Sequence, residues 1–462
     1  MKKIIFILSV VAASMMATSC MQALDNVAPK NAIPVDKLTS NELGKLINGT
    51  LSQMEGFTQS YWWDGSYMGE DLIEGPGGKA FDPHAETMDP SASRPSSRWN
   101  KAFTVLKHVN GLLDAANAAP NGAAKTEALG VAYFCRAYIY YNLVIRFGNV
   151  PIVRTTTNDV IPISNQAAVW TMIKEDINDA LKYVPALSNK YYISKEAVKC
   201  LQAYVHLWNG ENDEAIACAE EVIGNKSLVL SATSEKYASM FISGTTCEEM
   251  ILSWANTRTA SFLRLFDYTN DTDGSWTCAA PEAYREGLFA NTGGDATREG
   301  DIRQAVCFTS SDWKRIIKFP NGNDALGQFI KNDNPSSSPL MVFRLADAYL
   351  VKAEALINKG ESSKADAIAT LSTFMSKRYS KVDIANTISL SDLENLLMDE
   401  LHREFYAEGR RWFEIKRRHR MDLYKQWPGE GYDYLLLWPI PLAQRELAGF
   451  NNYPQNPGYA GA

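Results

Sequence analysis

The sequence predicts a protein dominated by α-helices, in which paired helices form a scaffold and irregular segments interrupt it. Apolar residues recur at helical spacing over residues about 40–56, 97–224 and 339–420. Two segments, at about 57–96 and 225–338, lack that spacing and are loop-rich. The chain has 462 residues and is 46% hydrophobic, which is enough to build one domain with a sizeable core from residue 40 onward.

A repeated helix pair supports the scaffold prediction. The segments "AYVHLWNGENDEAIACA" and "AEALINKGESSKADAIA" align at an offset of 150 residues. The matched positions are Ala203, Leu207, Gly210, Ala215 and Ala219 with Ala353, Ile357, Gly360, Ala365 and Ala369. Small residues let two antiparallel helices pack closely, and the glycine supplies the turn, as in tetratricopeptide-type pairs. One such pair cannot bury its apolar face alone, so the pairs must stack.

The first 39 residues precede the predicted fold. Residues 1–19 combine Lys2-Lys3, an apolar stretch too short to span a bilayer, and small residues before Cys20, which predicts a signal peptide. A cysteine directly after such a site is similar to a bacterial lipobox, so we expect cleavage before Cys20 and lipidation of its thiol. Residues 20–39 are polar with two prolines and are predicted to form a flexible tether.

The predicted helices follow in order. Thr39-Ser40 begins the first, which is expected to end near Met54. The 124–147 helix is apolar on nearly every face and should be buried. The other predicted helices are 97–118, 165–184, 194–208, 211–224, 340–358, 362–379, 391–408 and 410–418.

Six cysteines remain after Cys20, with no CxxC pair and no Cys/His cluster of metal-binding spacing. Cys135, Cys200 and Cys218 lie in helical apolar patterns and are predicted to be buried free thiols. The pairing of Cys247 with Cys278 is the one disulfide that the sequence leaves open.

No motif predicts catalysis, a cofactor or a metal site. The chain has neither a GxSxG elbow nor an HExxH pair. "GPGGKA" at 75–80 lacks the remainder of a phosphate loop, and "TNDTDG" at 269–274 lacks the first acid and the bidentate glutamate of a calcium loop. Paired carboxylates of a glycosidase are defined by their separation in space, which a sequence does not give. A formal net charge of −7 argues against nucleic acid as a partner.

The aromatic stretch "YWWDGSYMGEDL" at 61–72 is the main candidate for a binding site. Rings stack on the apolar faces of sugars, while carboxylates and guanidinium groups bind hydroxyls. Alternatively, the rings pin a long loop to the scaffold. The candidate substrate-binding residues are Tyr61, Trp62, Trp63, Asp64, Tyr67 and Asp71, together with Trp276, Tyr284 and Arg285 in the second irregular segment.

Several segments together resemble the SusD/RagB family of Bacteroidetes outer-membrane lipoproteins. Besides Cys20, they are "WNKAFTVLKHVN", "FCRAYIYYNLVIRFGNVPIV", "FRLADAYLVKAEALINKG", "LHREFYAEGRRWFEIKRR", "LWPIPLAQREL" and "QNPGY". The resemblance implies a SusD-like fold of tetratricopeptide-like pairs below an irregular ligand-facing side. Within the fifth segment, Glu404, Glu408, Arg411 and Trp412 are expected to pack and form salt bridges.

The resemblance also implies a function. Family members capture nutrient, usually a glycan, at the cell surface, and pair with a TonB-dependent, SusC-like outer-membrane barrel. They are binding proteins and not enzymes. Two alternatives remain: a RagB-type member that takes up peptides, and a repeat scaffold that binds proteins and keeps its aromatic residues buried.

Overall fold

A computed structural model of the protein describes residues 38–74, 88–242, 246–255, 278–279, 287–290, 296–308, 316, 318–319, 338–424 and 427–461. The predicted signal peptide, Cys20 and nearly all of the tether lie outside these residues, as does most of the second irregular segment.

The described residues are mainly helical. The longer helices of the first half are α1 (Ser40–Met68), α2 (Ser93–Ala118), α3 (Ala123–Phe147), α4 (Gln166–Tyr183), α5 (Lys195–Trp208) and α6 (Asn212–Ile223). Two short helices follow, α7 (Ser234–Ser239) and α8 (Gln304–Cys307). The second half contains α9 (Leu345–Asn358), α10 (Lys364–Met375), α11 (Leu390–Glu404), α12 (Arg411–Arg417) and α13 (Leu442–Ala448). The helical fold class predicted from the sequence is confirmed.

Short antiparallel ribbons join segments that are distant in the chain. Their strands, in chain order, are β1 (Ile73–Glu74), β2 (Val150–Pro151), β3 (Ile163–Ser164), β4 (Met250–Trp254), β5 (Cys278–Ala279), β6 (Ala296–Asp301), β7 (Leu340–Arg344) and β8 (Tyr379–Ile384). The pairs are β1 with β5, β2 with β3, β4 with β7, and β6 with β8. The described parts of the second irregular segment are therefore attached to the scaffold through β4, β5 and β6.

Helix α1 begins where the sequence predicts and ends much later. The Thr39 side chain accepts from the Glu42 amide, and the Glu42 carboxylate accepts from the Thr39 amide, so a capping box fixes the start. The predicted end at Met54 is wrong, since the helix continues to Met68. Buried residues recur at helical spacing through Phe57 and Tyr61, and their packing stabilises the continued helix.

Helix α3 is the central core helix. Among the described helices it alone has the length and hydropathy to cross a membrane, but 83% of its apolar window is buried inside the protein. It contacts α2 on one side and α4 on the other. The sequence prediction of a buried helix here is confirmed, and its apolar surface is explained by packing within the fold.

The repeated pairs α5–α6 and α9–α10 are both present, and each turns through a glycine with positive φ, +71° at Gly210 and +81° at Gly360. The predicted alignment is correct as far as this turn. Beyond it, Ala365 and Ala369 are exposed, and Ala367 and Leu371 are buried in their place. A 3₁₀ turn precedes α10 and rotates that helix, so its buried face is shifted by two positions.

The cysteines within the described helices behave as small apolar residues. Cys135, Cys200 and Cys218 are buried free thiols, as predicted. Burial raises the pKa of the Cys218 thiol to about 11, which keeps it protonated at neutral pH. Cys247 is also a buried free thiol, so the disulfide with Cys278 that the sequence left open is not formed.

Candidate functional site

The predicted aromatic site lies on the last turns of α1 and in the residues that follow it. The prediction of an irregular segment starting at residue 57 is therefore wrong for its first part. Tyr61, Trp62 and Tyr67 are buried, whereas Trp63 is half-buried. A helix must turn one face inward, and the rings at 61 and 62 lie on that face.

A close backbone contact fixes the orientation of this part of α1. Gly65 lies against the backbone of Gly409, and Gly409 in turn lies against the carbonyl of Trp62. A Cβ atom at either glycine would overlap these backbone atoms, and Gly409 also has a φ of +74°. This contact between α1 and the turn before α12 determines which rings face the core.

Tyr61 is an anchor between three elements. Its hydroxyl donates to the Arg98 carbonyl at 2.8 Å, and the Arg146 guanidinium carbon lies 4.4 Å from the centre of its ring. Burial raises the pKa of the Tyr61 hydroxyl well above its usual value. A ring with its hydroxyl and its face both occupied serves the core, as the alternative sequence interpretation expected.

The remaining rings form a small cluster around Trp63. Its ring lies nearly parallel to that of Trp62, with centres 6.0 Å apart, and edge-to-face with Tyr67 at 4.8 Å. Trp62 packs edge-to-face against Phe319 at 5.4 Å. Trp62 and Tyr67 thus support Trp63 from within, and Trp63 is the member of the cluster with substantial surface.

Asp64 does not have the position predicted for a residue that binds ligand hydroxyls. Its carboxylate is fully buried beneath two arginines of α2. Arg94 Nη1 donates to it at 2.8 Å, and Arg98 donates through Nη2 at 2.9 Å and through Nε. The carboxylate therefore acts on the surface indirectly, by fixing the orientation of the two guanidinium groups.

Asp71 is likewise an internal anchor. The Ala407 amide donates to one carboxylate oxygen at 3.0 Å, and His402 Nε2 lies 2.9 Å from the other. Burial raises the pKa of Asp71 to about 8, although the nearby Arg411 and the Ala407 amide act in the opposite direction. Its contacts fasten the chain after α1 to the end of α11, and they place the carboxylate away from any surface ligand.

A cleft of about 440 Å³ opens beside Trp63. Its walls come from the C-terminal part of α1 and the first turns of α2, and its lining is rich in groups that bind hydroxyls. The lining residues are Gln59, Ser60, Trp63, Ser93, Arg94, Ser97 and Arg98. Of the six predicted substrate-binding residues that the structure describes, Trp63 is the one that lines this cleft. The two arginines were missed: the predicted helix began at residue 97, so Arg94 was assigned to the irregular segment, whereas the helix begins at Ser93 and places the arginines at i, i+4 spacing.

Two other concavities are less suited to a saccharide. An inner pocket of about 90 Å³ is bordered by buried residues that include Tyr61, Trp62 and Arg146. A groove of about 380 Å³ beside α2 contains Phe103, Lys107 and a run of threonines. The first is too small for one pyranose unit and its neighbours. In the second, the rings of Trp99 and Tyr453 are buried, and Phe103 is half-buried against Trp99.

Part of the predicted site lies outside the described residues. Trp276, Tyr284 and Arg285 belong to this part, as does the acidic loop at 269–274. Over the residues that the structure describes, no group of three or more His, Cys, Asp or Glu side chains could hold a metal ion.

Comparison with known families decides the relationship. Residues 15–207 match the model of a family described as starch-binding and associating with the outer membrane, and residues 308–459 match the model of the SusD family. This chain belongs to the SusD-like family. SusD-like proteins of this description are carbohydrate-binding and associated with the outer membrane.

Individual SusD-like relatives are distant in sequence. A SusD-like protein of Formosa agariphila is 23% identical over 480 residues, which cover 91% of this chain and 93% of the relative. The starch-binding protein SusD of Bacteroides thetaiotaomicron is 28% identical over 181 residues, or 37% of this chain and 30% of that protein.

Solved SusD-like structures share the fold. A SusD superfamily protein from Bacteroides thetaiotaomicron superposes with a TM-score of 0.72 at 20% identity, covering 91% of this chain and all of that chain. A SusD-like carbohydrate-binding protein from Bacteroides vulgatus gives a TM-score of 0.65 at 20% identity, covering 82% and 83% of the two chains. At these identities the agreement concerns the fold.

Proposed function

We propose that this SusD-like chain binds a nutrient glycan at the cell surface and delivers it to a TonB-dependent, SusC-like barrel in the outer membrane. The cleft beside Trp63 is the observation that carries the proposal. It combines a half-buried ring, supported from behind by other rings, with hydroxyl, amide and guanidinium groups from both helices. Such a combination suits a pyranose, which offers an apolar face and a rim of hydroxyls.

The ligand contacts of the proposal differ in part from the residues predicted at first. Trp63 is the stacking platform within the described chain, and Asp64 holds Arg94 and Arg98 in place. Trp276, Tyr284 and Arg285 are retained as proposed contacts from the second irregular segment. Tyr61, Trp62 and Tyr67 support the site, and Asp71 holds the backbone that follows it.

Binding is tested with the purified protein, by calorimetry and affinity gels, against a panel of polysaccharides and oligopeptides. We expect binding to at least one glycan, its loss in Trp63→Ala, and its retention in Tyr432→Ala, a control ring that is 42% exposed and does not line the cleft. Binding to peptides with no binding to any glycan would overturn the proposal in favour of peptide uptake. Binding to neither class would favour a scaffold for protein partners.

We infer binding without catalysis, because the sequence carries no recognised catalytic motif. Incubation of each bound glycan with the protein should leave its chain length unchanged, as measured by size-exclusion chromatography. A shift to shorter products that persists after repeated purification would contradict this.

Export and anchoring of the chain are proposed from the signal peptide and Cys20. In cells, the wild-type chain should fractionate with the outer membrane, be labelled by a fatty-acid analogue and be cleaved by protease added outside. Cys20→Ala should lose the label. A label that remains in this variant would show that the lipid is elsewhere.

Delivery to a barrel is tested by affinity purification of the tagged chain from outer membranes solubilised in mild detergent. We expect a TonB-dependent barrel of the same bacterium to copurify in a defined ratio. Recovery of the chain without any such barrel, under conditions that keep membrane complexes intact, would argue against this part of the proposal.

A further inference from the structure

The inner pocket lies where α1, α3, α5, α12 and β7 meet. Rings from these elements line it, among them Tyr138, Tyr141, Tyr204 and Phe413. A protein cavity of about 150 Å³ holds one benzene molecule, so the volume of about 90 Å³ has room for about four non-hydrogen atoms. Within the described residues the pocket shares no lining residue with the cleft beside Trp63, and it is therefore a separate site.

Two carboxylates of the pocket differ in their partners. Glu408 pairs with Lys318 and with Arg344. Glu414 is only 3% exposed, yet its carboxylate forms no hydrogen bond or ion pair among the residues that the structure describes. A buried carboxylate without a donor is unfavourable. A ligand that brings a donor into the pocket would remove this cost.

The two arginines closest to Glu414 in the chain do not supply that donor, because they are paired elsewhere. Arg417 donates to both carboxylate oxygens of Glu354, at 2.8 and 2.7 Å. Arg410 pairs with Asp347. These two guanidinium charges are therefore balanced by carboxylates other than Glu414.

A third arginine of the pocket, Arg146, is occupied by rings and a carbonyl group. Its guanidinium carbon lies 4.4 Å from the centre of the Tyr61 ring and 4.3 Å from that of Phe413. It donates to the Tyr61 carbonyl at 3.1 Å. Its position is thus fixed by α1 and α12, and it does not bond to Glu414.

Burial determines the charge state of Glu414. It raises the pKa of Glu414 to about 7, although Arg417 and Arg410 act in the opposite direction. Near neutral pH the carboxylate is therefore charged in part of the molecules. The titratable and charged groups around it are Arg410, Arg411 and Arg417 in and before α12, Glu354 on α9, Asp71 after α1, and the pocket residues Glu408, Arg146, Tyr138, Tyr141 and Tyr204.

We propose that the inner pocket binds a small compound with an ammonium group, which donates to the Glu414 carboxylate and packs against the rings of Tyr138 and Tyr141. The faces of aromatic rings attract cations, and an ammonium group supplies a charge-assisted hydrogen bond. A hydroxyl compound of the same size would donate without adding a positive charge, and an anion would be repelled by the carboxylate. The site is additional to the glycan-binding cleft and does not depend on the proposed function.

Ethanolamine and ethylene glycol isolate the ammonium group. They have the same number of non-hydrogen atoms and differ at one end, which is an ammonium group in the first and a hydroxyl in the second. Calorimetry with the purified protein at about pH 8 and equal ionic strength should show ethanolamine binding at least about tenfold more tightly. Both probes are titrated to millimolar concentrations, because so small a ligand binds weakly.

The pH dependence of binding assigns it to Glu414. An aliphatic ammonium group keeps its proton between about pH 6 and pH 8, whereas Glu414 loses its own in this range. Since the charged carboxylate is the form that attracts the ammonium group, the affinity for ethanolamine should rise about tenfold from about pH 6 to about pH 8. The affinity for ethylene glycol should show no such rise.

A variant places the effect in the pocket. Glu414→Gln removes the charge and keeps the size of the side chain. It should weaken ethanolamine binding at least about tenfold, abolish the pH dependence and leave ethylene glycol unchanged. The control Glu175→Gln alters a glutamate that is 52% exposed in a surface pair with Arg154, and it should change none of these. Melting temperatures of both variants are measured alongside.

Each outcome decides the inference. Equal affinity for the two probes, or an affinity for ethanolamine that is unchanged in Glu414→Gln, overturns it. A similar loss in both variants shows that binding is not confined to the pocket and overturns it as well. If Glu414→Gln fails to fold, the wild-type pH profile decides, since a flat profile overturns the inference and a rise for ethanolamine alone supports it. None of these results bears on glycan binding in the cleft, which is tested with other ligands and variants.

Discussion

Glu404 and Asp64 are both held by more than one arginine, but in different surroundings. Glu404 accepts from Arg303, Arg344 and Arg378, and all four side chains are completely buried. Asp64 accepts from Arg94 and Arg98, whose guanidinium groups retain exposed surface. The same chemical unit serves as internal structure in one place and as the wall of a cleft in the other.

The difference lies in burial, because charges that are completely buried must balance one another. Around Glu404, further carboxylates neutralise the arginine charges, since Arg303 also pairs with Glu400 and Arg344 also pairs with Glu408. These arginines lower the pKa of Glu404 well below its usual value despite the opposing effect of burial. Asp64 is buried in the same way, but the side chains of Arg94 and Arg98 that hold it remain 22% and 17% exposed. A fully buried cluster is out of reach of a ligand, whereas guanidinium groups that keep exposed surface can contact one.

Disruption of the buried cluster should produce the largest effect. Arg344→Met leaves Glu404 and Glu408 with fewer partners in a dry site, and removal of one partner from such a pair costs about 3–5 kcal/mol. Chemical denaturation should show this loss in the free energy of unfolding. The control Lys381→Met breaks an exposed pair with Glu299 and should cost less than about 1 kcal/mol. Similar losses in the two variants would mean that burial does not distinguish the clusters.

Substitution of the two adjacent tryptophans should distinguish a ring that stabilises the fold from a ring that binds the ligand. Trp62 is 7% exposed and packs against Phe319, so Trp62→Ala should cost about 3–5 kcal/mol of stability. Trp63 is half-buried, so Trp63→Ala should cost about 1 kcal/mol while abolishing glycan binding. Denaturation and calorimetry on both variants measure the two effects. A large loss of stability in Trp63→Ala would assign that ring to the core.

The contact between Gly409 and α1 lies between the Glu404 cluster and the cleft beside Trp63. Its disruption should have an intermediate effect on stability. Gly409→Ala introduces both a strained positive φ and overlap with the Trp62 backbone, at an expected cost of about 1–3 kcal/mol. Gly210 has a similar φ of +71° but nothing within 4 Å of an added Cβ, so Gly210→Ala reports the backbone strain alone. Equal melting temperatures for the two variants would show that the close approach relaxes without cost.

Much of the scaffold could be predicted from the sequence because its signals are local. The helices with regular apolar spacing, such as α3 and α4, begin and end within one or two residues of their predicted positions. The last turns of α1 were missed because Gly65, Gly69 and the adjacent tryptophans are unusual in helices. These last turns are helical because they pack against Gly409 and the core. This is a tertiary effect, which local helix propensity does not include.

The location of the candidate site could be predicted from the sequence, but the roles of its individual residues could not. The aromatic stretch does contain a cleft residue, and clustering of rings was sufficient to indicate it. Which ring is accessible depends on the face of α1 that packs against the core. The two arginines that pair with Asp64 lie 30 and 34 positions further along the chain. Such pairings depend on the packing of α1 against α2, which the sequence does not show. The sequence therefore predicted that Asp64 contacts the ligand, whereas it lies behind the arginines.

The last prediction concerns the buried side chain of Lys416, which pairs with no carboxylate among the residues that the structure describes. Lys416 donates to the Ile145 carbonyl at 2.6 Å, and burial together with the nearby Arg146 lowers its pKa to about 7. Between pH 7 and the ordinary lysine pKa of 10.5, the unfolded chain binds a proton at this lysine and the folded chain does not. Stability from this group therefore rises with pH in that window, by at most about 1.4 kcal/mol per pH unit.

Lys416→Met isolates that contribution, because both proteins share every other titrating group. The difference in free energy of unfolding, wild type minus variant, should increase between about pH 7.5 and 9.5, as measured by denaturation at several pH values. Parallel profiles would show that the lysine keeps its proton inside the fold, through hydration or movement of its side chain. In that case a buried cation here would need neither a carboxylate nor neutralisation.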